Sequence, residues 1–140
     1  MMYDKFRVRT PVKSFRDLEV YQQTTKLSAE IFNLKIPVKY KNDKDLMEEI
    51  GKLKEMSKQV PRLIVESYGD KFSDLESTSR KMEKSAYIVN MIVAKIDFLN
   101  ALVDSERLQD ELTDILKRYQ RVKLRILNLK KAWNRVWGKK

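Results

Sequence analysis

The sequence predicts an all-α protein, a single up-down-up-down four-helix bundle, and three observations carry that prediction. Only three glycines and three prolines occur in 140 residues, too few for the tight turns of a sheet protein. Lys and Leu are the commonest residues, and both are good helix formers. Apolar residues recur at three- and four-residue steps in four separate stretches. At this length one core is expected, burying roughly two thirds of the surface that the unfolded chain exposes.

Residues 1–13 form a polar, basic arm (Lys5, Arg7, Arg9, Lys13), interrupted by Pro11 and lacking apolar periodicity, so an extended or mobile segment is expected. Ser14 can then cap a first helix over about 15–35, whose inner stripe reads Leu18, Tyr21, Thr25, Ala29, Phe32 and Ile36. Pro37 stops it, because the residue before a proline is pushed out of the helical region.

After a loop, Asp43 caps a second helix over about 43–68, with Leu46, Ile50, Leu53, Ser57, Val60, Ile64 and Tyr68 on one face and Gly69 as its C-terminal stop. Pro61 lies inside this stripe, which stays in phase on both sides, so one bent helix is expected rather than two. Ser73-Asp74-Leu75-Glu76 has capping-box spacing and opens a third helix over about 74–101, with Leu75, Met82, Ala86, Val89, Val93, Ile96 and Leu99 inward. Asp104 or Ser105 opens a fourth over about 105–137, inward through Leu108, Leu112, Ile115, Tyr119, Val122, Ile126, Leu129, Trp133 and Trp137. Short connections make neighbours antiparallel. The bundle thus occupies 14–137, with 138–140 as a basic tail.

Composition excludes much chemistry. Neither cysteine nor histidine occurs, which removes disulfides, thiolate nucleophiles, the usual zinc ligands and the commonest neutral-pH proton shuttle. Glu48, Glu49, Glu66, Asp70 and Asp74 cluster, but a bundle di-iron centre also needs two Glu-x-x-His elements. No P-loop, dinucleotide fingerprint or nucleophile elbow is present. The expectation is a protein that is not an enzyme and carries no cofactor or metal. With no apolar leader and no uninterrupted apolar run of about 18 residues, a soluble cytoplasmic protein without a membrane role is expected.

Charge supplies the functional signal. The last acidic residue is Asp114, and ten lysines and arginines lie between Lys117 and Lys140. The preceding 116 residues balance twenty cations with twenty anions, so the C-terminal fifth, residues 117–140, holds the whole net charge of +10. On a helical wheel Lys117, Arg118, Arg121, Arg125 and Arg135 fall on one side of the fourth helix, away from its core arc, and Lys131 extends the set. Like charges at these spacings repel, and the helix dipole rewards cations mainly in the last turn. A polyanion gripped through its phosphates, RNA or DNA, explains the run. The arm residues Lys5, Arg7, Arg9 and Lys13 are candidate further contacts, and changing Arg118, Arg121 and Arg125 together to Glu should cause a marked loss of binding. An acidic protein partner is the alternative occupant of the same face. Trp133 and Trp137, one turn apart, suit core packing, with base stacking as the other reading.

A second apolar flank points to a homo-oligomer. Leu116, Leu124 and Leu127 lie outside the core arc of the fourth helix, and Leu27, Ile31 and Leu34 lie opposite the inner stripe of the first.

Phe15-Arg16-Asp17-Leu18-Glu19-Val20-Tyr21-Gln22, then Ile36-Pro37, then the centre of the second helix from Gln59 to Gly69 together resemble a family of small bacterial four-helix bundles, the proteins encoded within intervening sequences of 23S ribosomal RNA genes. The segment Arg125 to Trp137 is similar to the basic C-terminal helix of the related accessory variability proteins of diversity-generating retroelements. Where the first group carries Asn and Gly around its helix-two proline, this chain has Leu63 and Ser67. The resemblance implies a barrel-like homopentamer that binds a reverse transcriptase together with its RNA or DNA. The leading expectation is accordingly a non-enzymatic accessory protein of that kind, with the intervening-sequence bundle protein as the alternative.

Overall fold

A computed structural model describes residues 13–138 as four α-helices packed against one another, with no strand among the described residues. The helices are α1 (Glu19–Phe32), α2 (Lys44–Asp70), α3 (Leu75–Leu102) and α4 (Glu106–Trp137), with 3₁₀ turns at Phe15–Asp17 and Val38–Tyr40.

The starts and stops are local chemistry. Ser14 caps the first 3₁₀ turn in a capping box with Asp17, and the chain straightens at Leu18 before α1 begins. The first α-helix is therefore shorter than the sequence implied. Asp43 accepts from the Leu46 amide and Ser105 from the Leu108 amide, closing the N-termini of α2 and α4. At α3 the cap is Asp74, which accepts from the Ser77 amide, in place of the expected Ser73 box. Asp70 occupies the Ser77 hydroxyl and Lys81 instead. Gly69 is not a stop: α2 runs through it to Asp70, and no described residue has positive φ. Pro61 sits inside one continuous α2.

Side-chain contacts fix the topology. Glu49 pairs with Lys95 and Ser67 bonds with Thr78, so α2 and α3 run antiparallel. Asn100 reaches Thr113 while Ser79 reaches Asn134, which sets α3 against α4. Glu30 meets Arg118 and Glu19 meets Arg125, closing α4 onto α1. Ser28 and Ser57 share a 2.8 Å hydrogen bond, and Lys54 lies over the Phe32 ring, orienting α1 against α2.

The core stacks Leu27 and Ile31 with Leu53, Val60 and Ile64, then Met82, Val89, Ile92 and Ile96, then Leu112, Tyr119, Val122 and Ile126. Here α1 departs from expectation. Its buried face is Val20, Thr24, Leu27, Ser28 and Ile31, whereas Thr25, Ala29 and Phe32 of the expected inner stripe are exposed and, with Tyr21, line an outer α1–α2 groove. The hydroxyls decide this. Thr24 donates to the Val20 carbonyl and Ser28 bonds Ser57, so both are buried with their polarity satisfied. Being small, they let α1 approach α2 more closely than Tyr21 and Phe32 would.

Candidate nucleic-acid interface

The long α4 needs one face for the core and presents the rest, and most of its cations sort into three groups. Lys117, Arg121, Lys131 and Arg135 are exposed, and no carboxylate of the described residues lies within 4 Å of them. With Leu124 and Asn128, also exposed, they recur at steps of three and four residues on the side opposite Tyr119 and Ile126. The line from Lys117 to Arg135 is about 27 Å long at the rise of an α-helix.

Arg118 and Arg125 stand apart from that line. They lie on the flank facing α1, and both are ion-paired: Arg118 grips Glu30 with both terminal nitrogens and also contacts Asp114, and Arg125 lies 3.2 Å from Glu19. The Glu30 hydrogen bonds push the Arg118 guanidinium further toward its charged form, and the same bonds hold the Glu30 carboxyl below its ordinary range. These two arginines fasten α1 to α4. The charge run seen in sequence is therefore partly compensated by α1, whose carboxylates are 88 and 106 residues away along the chain. Charge reversal at Arg118 and Arg125 would set like charges against Glu30 and Glu19, so the triple exchange anticipated from sequence tests the fold as well as the binding.

Lys130 forms the third group, pairing with Glu83 of α3 at 2.8 Å. Lys123 is half-buried, without a described carboxylate within 4 Å.

Between α1 and α4 a cavity of about 250 Å³ is lined by Gln23, Lys26, Leu27, Arg118, Arg121 and Arg125. Lys26 was missed in the sequence because it lies on a helix of balanced charge, and only the closure of α1 onto α4 brings it beside the arginines. The Arg118 Nε is buried there without a hydrogen-bond partner among the described residues.

Other expected site residues fall differently. Leu27 and Ile31 are buried at 3% and 0% exposure and belong to the protein's own core, so they cannot form an outer flank. Leu34, Leu116 and Leu127 are half-buried against that core, leaving only Leu124 of the six well exposed. The apolar excess is real but lies elsewhere: Tyr87, Met91, Phe98 and Leu102 of α3 are exposed. Trp133 is buried, and Trp137 packs edge-on against Phe72 with ring centres 4.7 Å apart, so both tryptophans serve packing. Lys13 is exposed, its backbone amide bonding Asp17; Lys5, Arg7 and Arg9 and the residues 139–140 of the tail lie outside the described residues.

The clustered carboxylates all have structural partners. Glu48 and Glu49 meet Lys52, Glu66 lies near Arg62 and Lys81, Asp70 binds Lys81, and Asp74 caps α3. Among the described residues no group of three or more potential ligands could hold a metal ion.

No protein-family model, curated protein or solved structure matches this chain. The functional reading therefore rests on the residues themselves.

Proposed function

We propose that the protein is a non-catalytic, cytoplasmic binder of nucleic acid that holds the phosphate backbone of RNA or DNA along the outer line of α4. The observation that supports this reading is the row of Lys117, Arg121, Lys131 and Arg135, exposed, spread over about 27 Å, and without a described carboxylate to neutralise it. Four cations on a rigid rod match a polyanion through phosphate contacts, which position without reading sequence. Asn128 adds a neutral hydrogen-bonding group to the row. The cavity lined by Lys26, Arg118, Arg121 and Arg125 suits a single phosphate.

Assembly of several copies would multiply a weak single-site affinity. The resemblance to retroelement accessory proteins adds a reverse transcriptase as the expected protein partner, and the intervening-sequence family adds ribosomal RNA. Both belong to this proposal.

The test replaces Lys117, Arg121, Lys131 and Arg135 together with Glu and measures binding to single- and double-stranded RNA and DNA at low and physiological salt. None of the four is part of the bundle's ion-pair set, so the variant should keep its helical content while losing at least ten-fold in affinity. Full-strength binding by the folded variant would remove α4 as the site.

A further inference from the structure

We propose that the cavity between α1 and α4 takes a terminal phosphate, the phosphomonoester end of a nucleic-acid strand whose next phosphates lie along the outer line of α4. Such a preference for strand ends rests on the nucleic-acid reading of α4 and names the part of the strand that the cavity selects.

The cavity is lined by Gln23, Lys26 and Leu27 from α1 and by Arg118, Arg121 and Arg125 from α4, with no carboxylate among them. Three carboxylates stand nearby, and each is engaged with an arginine: Glu30 and Asp114 with Arg118, and Glu19 with Arg125. Lys26 and Arg121, one from each helix, are exposed and have no described carboxylate within 4 Å. Lys26 acts on Glu30 through space alone. Cations brought together from two helices repel, and an anion held between them turns that repulsion into attraction.

Gln23 keeps the lining cationic. A glutamate of nearly the same size would supply an anion here, but the neutral amide instead donates to Glu19 at 3.1 Å. Its Oε1 and the Arg118 Nε are both buried without a hydrogen-bond partner among the described residues. The fold therefore bears a cost at this spot rather than a gain.

Size and position select the kind of phosphate. At about 250 Å³ the cavity is smaller than the roughly 300–1,000 Å³ of ordinary small-molecule sites, so it holds a phosphate and leaves sugar and base outside. An internal phosphate carries a sugar on each side, and two helices closing on the hollow obstruct one of them. A terminal phosphate enters with a single substituent trailing, offers three oxygens to donors on both walls, and at neutral pH carries nearly two negative charges. Arg121 belongs to the cavity and to the outer line alike. A strand leaving the cavity there meets Lys131 and Arg135 about 15 and 21 Å further along the helix.

The test compares RNA strands of one short sequence that carry a phosphate at one end, at the other or at neither, with adenosine monophosphate and inorganic phosphate as free forms. On the wild type, a phosphate at one of the two ends should raise affinity about ten-fold, the worth of one charge-assisted contact. Lys26→Met and Gln23→Glu, each with unchanged helical content, should bring the ratio of phosphate-ended to hydroxyl-ended affinity close to one. Lys131→Ala should weaken both strands and keep the ratio. Equal binding of phosphate- and hydroxyl-ended strands by the wild type would overturn the proposal and leave the outer line of α4 standing. Failure to bind any strand would remove the nucleic-acid reading and the proposal together. A ratio that survives both Lys26→Met and Gln23→Glu would place the end elsewhere and overturn it. Adenosine monophosphate or inorganic phosphate bound as tightly as the phosphate-ended strand would make this a site for a free phosphate compound and overturn it too.

Discussion

Arg118 and Glu30 join α4 to α1 through a two-pronged ion pair, Nη1 donating to Oε2 at 2.6 Å and Nη2 to Oε1. Their side chains are 27% and 35% exposed, so the pair is shielded from solvent without being sealed from it. A fork–fork pair in this setting contributes more than an open surface bridge. Arg118→Ala should cost about 1–2 kcal/mol of stability, read from urea unfolding, while Arg121→Ala on the outer line should cost less than about 0.5 kcal/mol. Equal costs would mean that the two arginines have the same structural role.

Salt dependence separates the two cation groups in binding. Each phosphate contact by an outer-line residue should contribute about 0.7 to 0.9 to the slope of log K against log salt. Removing Arg135 or Lys131 alone should therefore lower the slope by about one, uniformly across nucleic-acid sequences. Lys130→Ala, already paired with Glu83, should change the slope much less.

Acid sensitivity follows from the same pair. The Arg118 hydrogen bonds hold the Glu30 carboxyl below its ordinary value of 4.5, and Lys81 and Ser77 lower Asp70 from 3.8. The native state thus holds these protons less tightly than the unfolded chain does. Their stabilisation is fully present above pH 4.5 and is lost as the pH falls through the lowered native values. Thermal melting should be nearly flat between about pH 5.5 and 7, since no histidine or cysteine titrates there, and should fall steeply toward pH 3. Glu30→Gln should flatten part of that fall.

The Ser28–Ser57 contact explains why α1 turns its small polar face inward. Ser57 also donates to the Lys54 carbonyl at 2.7 Å, so Ser28→Ala leaves it satisfied and should cost under about 1 kcal/mol. Ser28→Leu adds volume between two close helices and should cost about 1–3 kcal/mol. Chemical denaturation of both variants checks the order.

Tyr119 is fully buried, and its hydroxyl finds no hydrogen-bond partner among the protein groups described. Burial pushes that hydroxyl up, well away from ionisation. Tyr119→Phe removes an unpaired polar atom and keeps the ring, so stability should be unchanged or rise by up to about 1 kcal/mol. A large loss would show that the hydroxyl is hydrogen-bonded in solution.

Periodicity, which is local, was enough to define α2, α3 and α4, and the caps at the starts of α2 and α4 were legible too. Leu46 to Ile64 and Leu108 to Trp133 repeat at helical steps, and Asp43 and Ser105 sit where helices must begin. The basic row of α4 was legible for the same reason, because a single helix carries it. What the sequence could not express was which of two comparable stripes α1 would bury. A scale that counts Thr24 and Ser28 as polar favours the stripe of Tyr21 and Phe32. The packed bundle reverses that choice, because small hydroxyl residues bonded to the backbone or to each other fit a close helix contact better than large rings do.

By itself, then, the chain determined an all-helical architecture and a cationic last helix, since both depend on neighbours within a few turns. Only the tertiary structure decided which cations are left unneutralised. Arg118 and Arg125 meet Glu30 and Glu19 because α1 closes onto α4, and contacts spanning 88 and 106 residues leave no mark in local spacing. Packing likewise decided which apolar side chains remain outside: Leu27 and Ile31 of α1 are buried, while Tyr87, Met91 and Phe98 of α3 are exposed.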